Sequence, residues 1–139
     1  EKLGADKIIH AQHDPLSRVK EFTEGSLANV VFDATGNKRA IESGVDYMRH
    51  GGTFVLVGLF KGELCFQHPA LHAKETTLMS SRNATKEDFE FVIQVLREKK
   101  FNTDAYITRR AGYKSILTDF DRWSSPESNE IKVMTLWDE

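Results

Sequence analysis

With 139 residues, of which 40% are hydrophobic, the chain is one domain's worth, long enough to bury about two-thirds of its unfolded surface around a single core. Nineteen basic and 21 acidic residues leave a formal charge of -2, with neither a basic stripe nor an acidic tail, which argues against a nucleic-acid partner. The one cysteine, Cys65, fits a reducing compartment; with no apolar run near the roughly 20 residues of a membrane span and no signal pattern in "EKLGADKIIH", the expectation is a cytoplasmic protein off the membrane.

In chain order, Lys2, Leu3 and Gly4 read as the last turn of a helix capped by Gly4, and "KII" (Lys7 to Ile9) as a short buried strand. Asp14 and Pro15 predict the start of a helix with Leu16, Val19 and Phe22 inward and Gly25 as its stop. "NVVF" (Asn29 to Phe32) is a strand, Asp33 to Gly36 a turn, and Ala40, Ile41, Gly44, Val45 and Met48 one helical face. "GGTFVLVGL" is a uniformly apolar strand, and "ELCF" and "ETTLMSS" are further strands, with at most one helical turn in "QHPALHAK" between them.

A strong helix follows, capped by Thr85, with Glu87 and Asp88 in its first turn and Phe89, Val92, Ile93 and Leu96 as a buried stripe; Arg97, Lys99 and Lys100 close it. "DAYITRR" is a short extended piece, "GYKSILTDFDRW" an amphipathic helix, "SSPESN" a surface turn and "EIKVMTLW" a last strand.

Strands apolar on both faces, alternating with helices, predict an α/β fold built on a parallel sheet. In a doubly wound dinucleotide domain the strand order is 3-2-1-4-5-6, and G-x-G-x-x-G follows strand 1. The chain has no such fingerprint. With "KII" as strand 3 and "NVVF" as strand 4, two places would lie empty between them, so the expectation is an incomplete, Rossmann-like sheet lacking its first two strands, or a rearranged one. Unpaired buried backbone groups cost about 1–3 kcal/mol each, which makes a segment of a longer polypeptide the preferred reading.

The order and spacing of "KLGADKII", "VVFDATGN", "GGTFVLVGL", "KETTLMSSRNAT", "YIT" and "IKVM" resemble the C-terminal portion of medium-chain, zinc-type alcohol and polyol dehydrogenases, over nearly the whole chain. "SSRNAT" is most similar to members of the idonate, gulonate or galactonate 5-dehydrogenase kind. The resemblance implies an oxidoreductase using NAD or NADP, and zinc in the full-length parent, on a small polyol or sugar-acid substrate, working as a dimer or tetramer. Residues 1–103 would be a partial dinucleotide-binding domain, and 104–139 a helix and strand returning to the catalytic domain. No catalytic residue and no zinc ligand is expected in this chain, and the coenzyme choice, made at the end of strand 2, stays open. A zinc-free quinone reductase-like enzyme and a truncated, non-catalytic module are the alternatives.

By the same resemblance, Ala34, Thr35, Gly36 and Asn37 would border adenosine. The Val57 and Thr77 carbonyls and the Met79 N–H would meet the nicotinamide carboxamide, with Gly58 and Leu59 beside them. Lys132 would lie near the pyrophosphate, and Arg82 would reach the nicotinamide ribose or grip a substrate carboxylate. Thr108 is followed by Arg109 where the family commonly has histidine. Plainer roles compete: Gly36 and Gly58 as turn residues, Arg82 in a surface ion pair, Lys132 facing solvent, Asp33 in a turn, Cys65 in the core, and His10, His13 and His50 as surface or capping residues. His68 and His72 have the spacing of a metal pair, but Pro69 between them and the lack of a third ligand favour packing, near what the resemblance makes a dimer interface.

Overall fold

In the computed structural model, which describes residues 2–125 and 127–137, the contacts divide the chain into two compact units. One is Ile9–Asn83; the other comprises the described residues of Glu1–Ile8 and Ala84–Glu139.

The first unit opens with α1, Pro15–Phe22, where the Asp14 carboxylate accepts from Ser17 N–H and Pro15 stands where a missing N–H costs nothing. Gly25, at φ 85°, ends it by donating to the Lys20 carbonyl at 2.7 Å. The chain continues as β1 (Ala28–Asp33), α2 (Lys38–Gly44), a 3-10 turn (Val45–Tyr47), β2 (Met48–Leu56), α3 (His68–Lys74) and β3 (Thr77–Ser80).

All pairings are parallel, in the order β1-β2-β3, so each crossover must climb over one face of the sheet. Val31, Phe54 and Leu78 stand in one row, and Asp33, Leu56 and Ser80 in another two residues on. Of the predicted helical face, Ile41 and Gly44 of α2 are buried and Ala40 is exposed, while Val45 and Met48 lie past the helix; Ile41, Val45, Met48 and Phe54 form the buried cluster, covered by Val31, Leu56, Phe60, Leu64, Phe66 and Leu71. Gly44 is required there, because a Cβ would enter the Phe54 ring.

Four local expectations fail in this unit or at its edge. "KII" is not a strand: no described strand lies beside it, Ile8 is 69% exposed, and a strand exists only through pairing. "ELCF" is not a strand either, because Leu64 and Phe66 satisfy their alternation by packing on the core cluster without a ladder. Cys65, between them, is exposed rather than in the core, and its N–H donates to Glu42 at 2.8 Å. "HPALHAK" forms a seven-residue helix, with Pro69 in the first turn where proline is tolerated.

In the other unit, Gly4 adopts φ 98°, the left-handed conformation expected of a cap; Glu1, before it, lies outside the described residues. Thr85 and Asp88 form a reciprocal capping box at the start of α4, Lys86–Arg97. Its apolar stripe is present but uncovered: Phe89 is 63% and Val92 52% exposed, against the expectation of burial. The first half of "DAYITRR" is a helical turn, α5 (Thr103–Tyr106), capped by Asn102, and only then extended as β4 (Arg109–Gly112). A 3-10 turn at Tyr113–Ser115 leads into α6 (Ile116–Ser124), and β5 (Val133–Leu136) pairs with β4 in parallel. Ser128 N–H closes a turn on the Ser125 carbonyl; Pro126 of that predicted turn lies outside the described residues.

Candidate functional site

At the carboxyl edge of the three-stranded sheet, where open α/β sheets bind ligands, β1 and β2 end in turns that are tied to one another. The tie is Asp33, the last residue of β1, buried at 5% exposure. Its backbone carbonyl accepts from Val57 N–H at 2.9 Å and Gly58 N–H at 2.8 Å, just past the end of β2. Its carboxylate accepts from the Thr35 hydroxyl at 2.6 Å, Thr35 N–H at 3.3 Å and Gly36 N–H at 3.1 Å. Burial acts to raise the Asp33 pKa, but the Thr35 hydroxyl and the Gly36 and Thr35 amides donate to the charged form, and the balance holds it below the ordinary aspartate value.

Two glycines make this proximity possible. A Cβ on Gly58 would collide with Gly36 N and stand 2.6 Å from Asp33 Oδ2; one on Gly36, at φ 61°, would stand 2.8 Å from the Leu59 carbonyl oxygen. From the turn, Thr35 Oγ accepts from Asn37 N–H and Asn37 Oδ1 caps α2 through Ala40 N–H.

Beside these turns is a cleft of about 550 Å³, walled by apolar side chains such as Ile41, Leu59, Phe60 and Leu64 and reaching Ser80, Ser81, Arg82 and Asn83 beyond β3. Arg82 is the only charged residue among those lining it. Val57, Gly58, Leu59 and Arg82 therefore fall together as the sequence predicts, and Gly36 abuts Leu59 from the adjoining turn. Ala34, Thr35 and Asn37 belong to that turn, are exposed, and are not among the residues lining the cleft.

Thr77 and Met79 are placed differently. Thr77 pairs with Thr53 and Met79 with Val55, so Thr77 lies at the opposite end of β3 from the cleft, and Met79 alternates away from the Phe54 face. Ser80, paired with Leu56, and Ser81, whose N–H donates to the Leu56 carbonyl at 2.9 Å, come level with Val57 instead. Counting register from the apolar end of "VLVGL" to that of "TTLMSS" was the available signal for these two serines. Asn83, at φ 62°, was signalled only by the tolerance of asparagine for that conformation.

Lys132 belongs to the other unit, where its carbonyl accepts from Thr108 N–H at 3.0 Å. Thr108 also accepts from Ile131 N–H, and Arg109 pairs with Glu130, with Nε to Oε1 at 2.6 Å. The surface histidines have neighbours: His50 Nε2 lies 2.8 Å from Glu75 Oε2, and the His68 and His72 rings meet edge to face at 5.9 Å. Among the described residues no group of three or more His, Cys, Asp or Glu is placed to hold a metal ion.

Parallel strands with helical crossovers and a glycine-lined cleft at their carboxyl ends define part of a doubly wound α/β domain of the nucleotide-binding class. The family model for zinc-binding dehydrogenases matches residues 1–98, and the chain belongs to that family.

Over 98 residues, 70% of the chain and 29% of the relative, it is 50% identical to L-galactonate-5-dehydrogenase of Escherichia coli strain K12. It is 31% identical over 135 residues to D-arabitol-phosphate dehydrogenase of Enterococcus avium, covering 96% of the chain and 38% of that protein. A short chain alcohol dehydrogenase from E. coli CFT073, solved in complex with NADH, superposes with a TM-score of 0.83 at 19% identity, over 96% of this chain and 39% of that one. The chain thus spans well under half the length of each.

Proposed function

We propose that the chain is the cofactor-holding portion of an NAD(P)-dependent dehydrogenase that oxidises a secondary hydroxyl of a polyol or sugar acid, in a cytoplasmic homo-oligomer. The observation that carries this reading is the apolar cleft at the carboxyl edge of the sheet, lined at Gly58, where a Cβ would collide with the Gly36 turn and Asp33. The 50% identity to an L-galactonate-5-dehydrogenase supports the substrate class.

When bound, the nicotinamide accepts hydride from the substrate carbon. The chain's own share is binding and orientation. Ala34, Thr35, Gly36 and Asn37 would border adenosine. Val57 and the backbone at Ser80 and Ser81, rather than Thr77 and Met79, would hold the carboxamide, since those are the residues that register brings level. The apolar wall of Ile41, Leu59, Phe60 and Leu64 would keep water from the ring. Lys132 is proposed as a pyrophosphate contact. The described residues do not fit zinc, whose ligands would lie in other parts of the parent enzyme.

Arg82, the one charge in an otherwise neutral cleft, suits an anionic substrate: its planar fork can take a carboxylate bidentately. The test is steady-state kinetics of the full-length enzyme with a sugar acid and with the corresponding neutral polyol. Arg82→Ala is expected to raise the KM for the acid roughly tenfold or more, and to leave the polyol nearly unchanged. An unchanged KM for the acid would remove Arg82 from substrate recognition. Failure of any polyol or sugar acid to reduce NAD or NADP with the wild type would remove the reading itself.

A further inference from the structure

We propose that Asp33 is a positioning residue for nucleotide binding, its negative charge ordering the turn at residues 34–37, which its backbone carbonyl ties to the turn at Val57–Leu59, without touching the ligand. This inference rests on the nucleotide reading above. Asp33 is not among the residues lining the cleft, and its side chain is buried behind them. What it controls is the polarity of a hydrogen-bond chain.

Three donors converge on its two oxygens: Thr35 N–H and Oγ–H on Oδ1, Gly36 N–H on Oδ2. Having given its proton to Asp33, the Thr35 hydroxyl is free to accept from Asn37 N–H at 3.0 Å, and Asn37 Oδ1 then accepts from Ala40 N–H at 3.2 Å in the first turn of α2. The donors of residues 35–37 all face toward the carboxylate, so the order of the turn originates in one charge, and the Asn37 side chain separately caps the helix that follows. On the other side, Gly58 seats the end of β2 directly on Oδ2, with no room for a methyl group between them.

An asparagine at position 33 has the same shape but cannot serve. With its NH2 toward Gly36 it opposes an N–H; with its NH2 toward Thr35 it opposes another, and forces the hydroxyl to turn its proton toward Asn37 N–H. Either orientation loosens the 34–37 turn while β1 and β2 keep their ladder.

The test uses the full-length protein that carries this chain, with NADH and NADPH affinity read by fluorescence titration and kcat at saturating coenzyme. D33N is expected to raise the coenzyme Kd roughly ten- to a hundredfold while kcat at saturation stays within about threefold of wild type. T35V, which removes the hydroxyl link at a residue that would itself border adenosine, is expected to raise Kd roughly three- to tenfold, and T35S, which keeps the hydroxyl, to stay within about twofold of wild type. D33E is not expected to rescue, because its extra methylene has no space against Gly58. A purely structural role would lower the melting temperature yet leave the folded protein's Kd unchanged. Should D33N not fold, the contrast between T35V and T35S carries the test. A folded D33N or T35V variant whose Kd lies within about twofold of wild type would overturn the inference, whereas a wild type that binds neither coenzyme would overturn the nucleotide reading beneath it.

Discussion

Asp33 also makes a prediction about acid. Its folded-state pKa is lowered, so its ionised form contributes stability that is fully present above the ordinary aspartate value of 3.8 and is lost as pH falls through the lower folded value. A carbon-detected NMR titration of the Asp33 carboxyl should give a midpoint below 3.8; a midpoint at or above it would mean that burial, not the three donors, dominates. Gly58 extends the same argument from charge to volume. Its virtual Cβ meets backbone and carboxylate atoms rather than the flexible end of a side chain, so nothing can give way cheaply. Gly58→Ala is expected to destabilise the protein by about 1–3 kcal/mol, read as a lower urea midpoint at constant slope. Sequence made Gly58 visible as a glycine at a strand end but could not show what it abuts, because Asp33 and Gly36 approach it only through the parallel pairing of β1 with β2.

At the scale of elements, legibility followed how local the signal was. Asp14–Pro15 at α1 and Thr85 at α4 are capping signals written within four residues, and each caps the helix it was expected to; Asn37, which caps α2, and the return bond from Asp88 were not read from the sequence. "KII" and "ELCF" were strand-like in composition, but strand formation is decided by a partner elsewhere in the chain, which periodicity does not report. The position of Thr77 was hidden for a related reason: a family likeness fixes which strand a residue is on, and register, which sets Thr77 at the amino end of β3, fixes which end. Lys74 was invisible as a structural residue. At the end of α3, its ammonium donates to the carbonyls of Val45, Asp46 and Met48 at 2.8, 3.2 and 2.9 Å, satisfying the orphan acceptors where α2 and its 3-10 turn run out. Lys74→Met keeps the apolar stem and removes the charge, and is expected to cost about 1–3 kcal/mol in chemical unfolding. An effect under about 0.5 kcal/mol would mean that water replaces the ammonium at no penalty.

For the whole molecule, the decisive quantity is surface. Among the described residues 20 large apolar side chains are exposed, an excess for a protein of 15.8 kDa, which is expected to bury most of them. Only Phe54, Ile41 and Met48 are fully buried large apolar side chains among the described residues, and α4 and α6 leave Phe89, Phe91, Leu117 and Phe120 more than half exposed. These helices are amphipathic in sequence, so the excess is not polar surface spread by chance but apolar faces formed and left uncovered. The family members matched here are more than twice as long, and the remainder of such a polypeptide is the proposed cover. Produced as these 139 residues alone, the protein is therefore expected to bind a hydrophobic dye strongly and to self-associate as concentration rises, in light scattering coupled to gel filtration. Charged substitutions at Leu117 and Phe120, which α6 presents to solvent, should reduce both effects without lowering helix content. A monodisperse, dye-silent monomer would show that the chain covers these faces itself, and would favour a self-sufficient module over a portion of a larger dehydrogenase.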